Sequence, residues 1–229
     1  MFSFPVLPLP AESGTEIQCG LVVVGRAIPQ LAMLLDGFAE LVASAACPNP
    51  AEITSVGSRD YQGTLQPLGD GCGIRHPENL VVLSSSGLLE GRVWVGATLD
   101  IRLLSPLRLF DNGRLLDRFD FSLFARSLMR RVSSLAYYYG ADESICDFKA
   151  LSCQARAVTC SDGHFSRAID TCLTSSGTSR KMSGINGYGS FRGDFSGIMP
   201  FLVLGLYVHA GKGASFGMGM YELIPGSTD

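Results

Sequence analysis

The chain has 229 residues, 46% hydrophobic and 17% charged, with a net charge of −3. That length holds one large domain or two of roughly 100 residues, and the apolar share excludes wholesale disorder. The charge is uneven: residues 1–100 carry four Lys/Arg against ten Asp/Glu, whereas residues 101–229 carry fourteen against eleven, and fifteen of the eighteen basic residues are Arg. A polyanion partner would therefore meet the second half, through the side chain suited to bidentate phosphate contacts and stacking.

In chain order, the opening MFSFPVLPLP has no basic start and is broken by prolines, which excludes a signal helix. Residues 17–27 (IQCGLVVVGRA) are rich in β-branched side chains and predict a strand. From Ile28 to Ala45 the spacing of Leu31, Leu34, Leu35, Phe38, Leu41 and Val42 predicts a helix, with Pro29 in its first turn and CPNP ending it. A short strand is expected over 52–58, a Gly/Pro-rich loop over 63–79, a strand over 80–84 and a boundary near 87–91.

The second half opens on residues 92–104, where Val93, Val95, Ala97, Leu99, Ile101 and Leu103 alternate as in a strand that Ser105–Pro106 breaks. Phe121, Phe124, Leu128, Val132, Leu135 and Tyr139 recur every three or four residues and predict a helix over 119–139, with Arg126, Arg130 and Arg131 on its other faces. Residues 146–158 read as helix, 185–195 as a strand pair or bent hairpin, 198–207 as a short helix near Pro200 and 215–223 as a last strand. The apolar run 198–210, broken by Pro200, Gly205 and His209, is too short to span a bilayer, so a cytoplasmic protein without a membrane partner is expected.

Each half runs strand, helix, strands. The expected fold is α+β: tandem ferredoxin-like (RRM-like) domains, with antiparallel sheets covered by helices on one face, divided as 1–88 and 89–229. Seven cysteines stand at 19, 47, 72, 146, 153, 160 and 172 without a CxxC pair. Buried reduced thiols account for them better than zinc, and no metal or cofactor is expected.

The most distinctive stretch is GLYVHAGKGASFGMGMY over residues 205–221, in which Gly211, Gly213, Gly217 and Gly219 surround Lys212. Such glycines admit positive φ and close approach of a ligand, and successive N–H groups there can converge on a phosphate with Lys212 adding a charge. The order is not that of a nucleotide P-loop. A purely structural connection is the other reading.

A helix followed by HxGKGxSFGxG and an apolar strand resembles the glycine-rich loop closing the RAMP superfamily of CRISPR-associated proteins, nearest to the repeat-processing endoribonucleases. LVVVGRAIPQLAMLLDGFAEL resembles that family's first strand and helix, LDIRLLSPLRLFDNG its Ser-Pro turn, and FSLFARSLMRRVSSLAYYYG its long helix. KMSGINGYGSFRGDFSGIMPFLVLGLYVHAGKGASFGMGMYEL resembles its C-terminal region, so the likeness runs along nearly the whole chain. Two stretches depart from it. ASAACPNPAEI replaces a Gly- and Arg-rich segment, and SRAIDTCLTSSGT keeps Arg167 and Asp170 but lacks the family's two tryptophans and later arginines.

The resemblance implies metal-independent cleavage of CRISPR repeat RNA through its own 2′-OH, retention of the 3′ hairpin, and other CRISPR effector subunits as partners. The candidate catalytic residues are His164, in CSDGHFSR, then His209 at the foot of the glycine loop, and Tyr188. The third histidine, His76, stands in the acidic half. Candidate RNA contacts are Arg126, Arg130, Arg131, Arg167, Arg180, Lys181, Arg192 and Lys212, with Gly211, Gly213, Gly217 and Gly219. The alternatives are a non-catalytic RAMP subunit and, from another class, a phosphate or small-molecule binding domain.

Overall fold

The computed structural model describes residues 2–3, 14–44, 50–90, 96–140, 146–173 and 179–225, with side chains at all of these except 2–3 and 170–182. The CPNP helix stop, Cys47 and residues 91–95 of the expected strand lie outside the described residues. The chain divides into two compact units: Val23–Arg92 with Leu173–Ser179, and the remainder.

The smaller unit opens with a 3₁₀ segment, Gly25–Gln30, and helix α1 (Leu31–Ala43). The expected strand over 17–27 contracts to β2 (Gly20–Leu21), paired with β1 (Phe2–Ser3) in the larger unit. Gly25, at φ 53, turns the chain out of extended conformation. Strands β3 (Ser55–Arg59) and β4 (Leu65–Asp70) form an antiparallel hairpin, with β4 inside the stretch expected to be loop. Pro67 and Gly69 mask it in the sequence, and a register shift between Val56 and Gly57 accommodates them. The expected strand over 80–84 is irregular: the Val81 N–H donates to the Ser58 hydroxyl at 3.0 Å instead of to a ladder. Ser84 then caps α2 (Ser85–Leu89) by accepting from the Gly87 N–H.

The larger unit is a full ferredoxin-like fold. Its elements run β5 (Thr98–Leu103), the hairpin β6 (Phe110–Asp111) and β7 (Arg114–Leu115), α3 (Phe121–Tyr139), α4 (Phe148–Ala157), β8 (Thr159–Leu173), β9 (Ser179–Arg192), α5 (Met199–Val208) and β10 (Tyr221–Pro225). The four-stranded sheet has the order β10-β5-β9-β8, in which β5 lies centrally and pairs antiparallel with both β10 and β9. Asn112 and Gly113, both at positive φ, make the tight turn between β6 and β7.

Alternation along β5 sets the two faces. Leu99, Ile101 and Leu103 are buried, whereas Arg102 is exposed. Phe191 of β9 packs against Phe121, and Tyr221 of β10 meets Phe124 edge-on, so α3 covers the odd-numbered face. Asp120 caps α3 by accepting from the Leu123 N–H at 2.8 Å. Gly205 lets α5 approach closely: a Cβ there would strike Leu128 of α3 and the Tyr221 hydroxyl, which donates to the Leu202 carbonyl at 2.6 Å. No helix among the described residues is long and apolar enough to cross a membrane.

Candidate nucleic-acid interface

The face of the sheet away from α3 carries the polar residues. His164, in a stretch where the sequence predicts no element, stands on β8, a 15-residue strand whose polar run hides the alternation. Its ring meets that of Tyr188 on the neighbouring β9, with centroids 5.0 Å apart, and both side chains are exposed. Gly187, at φ 132, permits this: a Cβ there would collide with the His164 carbonyl. Asp162 Oδ1 lies 3.4 Å from His164 Nε2. On the next strand, Arg102 stands opposite Tyr188 in register and pairs with Glu222 at 2.9 Å. A base-capable imidazole, a phenol and a guanidinium thus share one accessible surface.

The glycine-rich loop is built differently from its sequence expectation. Gly211, Gly213, Gly217 and Gly219 all have left-handed φ, and Ala214–Phe216 form a 3₁₀ turn where a strand was expected, so that β10 starts at Tyr221. The N–H groups of Lys212 and Gly219 donate to the Arg108 and Pro106 carbonyls, and those of Phe216, Gly217 and Met218 to carbonyls inside the loop. These amides are engaged by protein, not aimed together at a phosphate. The Ser105 hydroxyl completes the link, donating to the Gly217 carbonyl and accepting from the Met220 N–H. What the loop offers outward is Lys212, whose Nζ lies 5.2 Å from the Phe110 ring centroid, and Phe216, 80% exposed. Arg108 approaches the same Phe110 ring at 5.7 Å. Sequence reasoning missed Arg102, Arg108 and Phe110, for which the SPLRLF turn was the available signal.

His209 ends α5 with φ 58 and ψ 170, a region otherwise left to glycine, and is 3% exposed. Burial, followed by the charge of Arg131, lowers its pKa to about 4, against an opposing pull from the backbone at Ala214 and Met218. It is neutral at pH 7 and enclosed, so it shapes the loop and has no access to a ligand. Arg131 likewise turns inward, its Nε donating to the Val208 carbonyl. That leaves Arg130 exposed and Arg126 half-buried on α3. Arg167 pairs with Asp117 at 3.3 Å, Arg192 is exposed on β9, and Arg180 and Lys181 lie on β9 with side chains outside the described residues. His76 contacts Glu78 at 3.2 Å in the smaller unit. Among the described residues no group of three His, Cys, Asp or Glu could hold a metal ion.

A ferredoxin-like sheet with histidine, tyrosine and arginine on its open face, closed by a glycine-rich loop, agrees with the RAMP-type resemblance of the sequence. Residues 101–221, more than half the chain, match the model of the CRISPR-associated endoribonuclease Cas6 family, and the chain belongs to that family. Among solved structures it is similar to a Cas6 product complex from Thermus thermophilus, with 15% identity and a TM-score of 0.58 over 97% of this chain and 82% of that one. A second Cas6 product complex matches at 14% identity and a TM-score of 0.56 over 97% and 81%. A partial Cas6-RT-Cas1–Cas2 complex matches at 17% identity and a TM-score of 0.51 over 71% of this chain and 30% of that chain. These likenesses bear on fold, and they extend the tandem ferredoxin-like architecture across the chain. Compared with curated protein sequences, the chain matches none.

Proposed function

We propose that this chain cuts CRISPR repeat RNA without a metal ion, using His164 and Tyr188, and stays on the 3′ hairpin it produces. In this reaction the ribose 2′-oxygen bonds to the adjacent phosphorus while the bond from phosphorus to the 5′-oxygen breaks. The products are a 2′,3′-cyclic phosphate and a 5′-hydroxyl. His164 takes the 2′-OH proton, and the Tyr188 hydroxyl supplies one to the leaving oxygen. Arg102 and Arg192 stabilise charge on the phosphorane.

The observation that carries this reading is the contact of His164 with Tyr188 on an exposed face, in a chain of the endoribonuclease family. His209 is a positioning residue, since it is buried beneath the loop. RNA is held by Arg126, Arg130, Arg180, Lys181 and Lys212, and contacts to a hairpin upstream of the cut survive cleavage. The acidic first half, with ten carboxylates against four basic residues, suits contacts with other CRISPR proteins better than contacts with phosphate, and the resemblance to a Cas6-RT-Cas1–Cas2 complex supports partners of that kind.

A second reading, a subunit that binds repeat RNA without cutting it, is favoured by SRAIDTCLTSSGT, which lacks the tryptophans expected there. Labelled repeat RNA incubated in EDTA under single-turnover conditions separates the two. Cleavage to a cyclic phosphate is expected, slowed about 10²- to 10⁴-fold in His164→Ala with binding retained. An absolute need for Mg²⁺ overturns the mechanism, and binding without cleavage selects the second reading.

A further inference from the structure

The smaller unit contains a site that the cleavage chemistry does not use. A cleft of about 480 Å³, lined by Tyr61, Gln62, Ser84, Ser86, Gly87 and Glu90, opens beside α2. Tyr61 is pinned in it. Its hydroxyl accepts from the Ser84 N–H at 2.8 Å and contacts the Ser84 hydroxyl at 3.2 Å, which in turn contacts the Ser86 hydroxyl at 3.1 Å. The Tyr61 ring lies against Gly87, where a Cβ would come within 2.6 Å of its Cε1. The residue nonetheless remains 39% exposed. A rigid ring with surface left open is a stacking platform that loses little side-chain entropy on use.

The lining decides the ligand. It holds no Lys, Arg or His, so nothing in it balances a phosphate, and Glu90 repels one. Hydroxyls, an amide and a carboxylate suit a neutral heterocycle that donates hydrogen bonds. A carboxylate accepts from the exocyclic amino groups of adenine, cytosine and guanine, whereas uracil offers it N3–H alone, flanked by two carbonyl oxygens that it repels. Unpaired RNA bases are read in this way, by stacking on an aromatic ring and bonding at the base edge. The volume suits one nucleoside.

We propose that this cleft binds a single unpaired nucleobase of the RNA, stacked on Tyr61, with Glu90 favouring a base that carries an exocyclic amino group over uracil. The inference rests on the RNA-processing reading and adds to it a sequence-selective contact in the acidic half of the chain.

The experiment measures fluorescence anisotropy of end-labelled hexamers of adenylate, cytidylate and uridylate with the full chain at one salt concentration. Ultraviolet cross-links to the adenylate hexamer are mapped by mass spectrometry alongside. Adenylate and cytidylate hexamers are expected to bind about tenfold more tightly than uridylate, with a cross-link at Tyr61 or Gln62. Tyr61→Leu should weaken both about tenfold or more, while Tyr61→Phe, which keeps the ring, stays within about twofold of the parent. Glu90→Gln should erase the preference over uridylate and leaves the test standing if Tyr61→Leu does not fold. Equal affinity for the three hexamers, or cross-links confined to other segments, overturns the proposal. A protein giving that result while still cleaving its repeat RNA loses this site alone, and one that neither cleaves the repeat nor binds any hexamer loses both readings.

Discussion

Arg131 of α3 donates from Nε to the backbone carbonyl of Val208, the last residue of α5, and so ties the long helix to the foot of the glycine-rich loop. The bond satisfies a helix-end carbonyl with a charged donor, the stronger class of hydrogen bond. It also places a positive charge near His209, one cause of that residue's lowered pKa. Arg131→Ala should therefore cost about 1–3 kcal/mol, a fall in Tm of roughly 3–10 °C, and should raise the pKa of His209 in NMR titration. An unchanged Tm together with an unchanged titration would show that the tie contributes nothing.

His209 makes stability depend on pH in a defined direction. Its folded pKa of about 4 lies below the ordinary 6.5. The unfolded chain therefore binds the proton first as pH falls. This contribution is complete above pH 6.5, is lost as pH drops toward 4 and is constant below that. It amounts to roughly 3 kcal/mol. His209→Asn, which removes the titrating imidazole, should flatten urea-denaturation stability over that window. An equally steep decline in the variant would assign the pH dependence to other groups.

Two glycines separate backbone strain from steric collision. Gly219 has φ 68, and a Cβ there would run into the Ala210 carbonyl, whereas Gly113 has φ 81 with nothing within 4 Å. Gly113→Ala should cost about 1 kcal/mol. Gly219→Ala should cost about 2–4 kcal/mol and loosen the loop that carries Lys212. Calorimetry on the pair checks the order, and equal losses would contradict the packing described for the loop.

Charge neutralisation predicts the salt dependence of RNA binding. Arg180→Ala combined with Lys181→Ala should weaken binding of the repeat hairpin and reduce the slope of log K against log salt by about 0.7–0.9 for every phosphate that the pair neutralises. Affinity titrations from low to moderate salt measure it. Parent-like affinity and slope in the double variant would remove this segment from the interface.

Periodic stretches were legible in the sequence because their signal is local. The apolar spacing along 119–139 predicted α3 to within two residues, and the alternation along 92–104 predicted a strand, of which β5 is the C-terminal part. The ordered motifs likewise carried the family, since they record chemistry and not packing. Tertiary structure decided the rest. Residues 159–173 form a strand because β9 supplies the hydrogen-bond partners, with Gly187 allowing the close approach, and no local pattern announces either. In the sequence His164 ranks only slightly ahead of His209. Only folding buries the latter under the glycine loop and sets the former beside Tyr188 on an open face. The loop amides show the same limit: their glycines could be read as an anion cradle, but their partners are carbonyls such as those of Pro106 and Arg108, about a hundred residues distant in the chain. Burial and hydrogen-bond partnership are properties of chain segments brought together, so sequence spacing alone does not encode them.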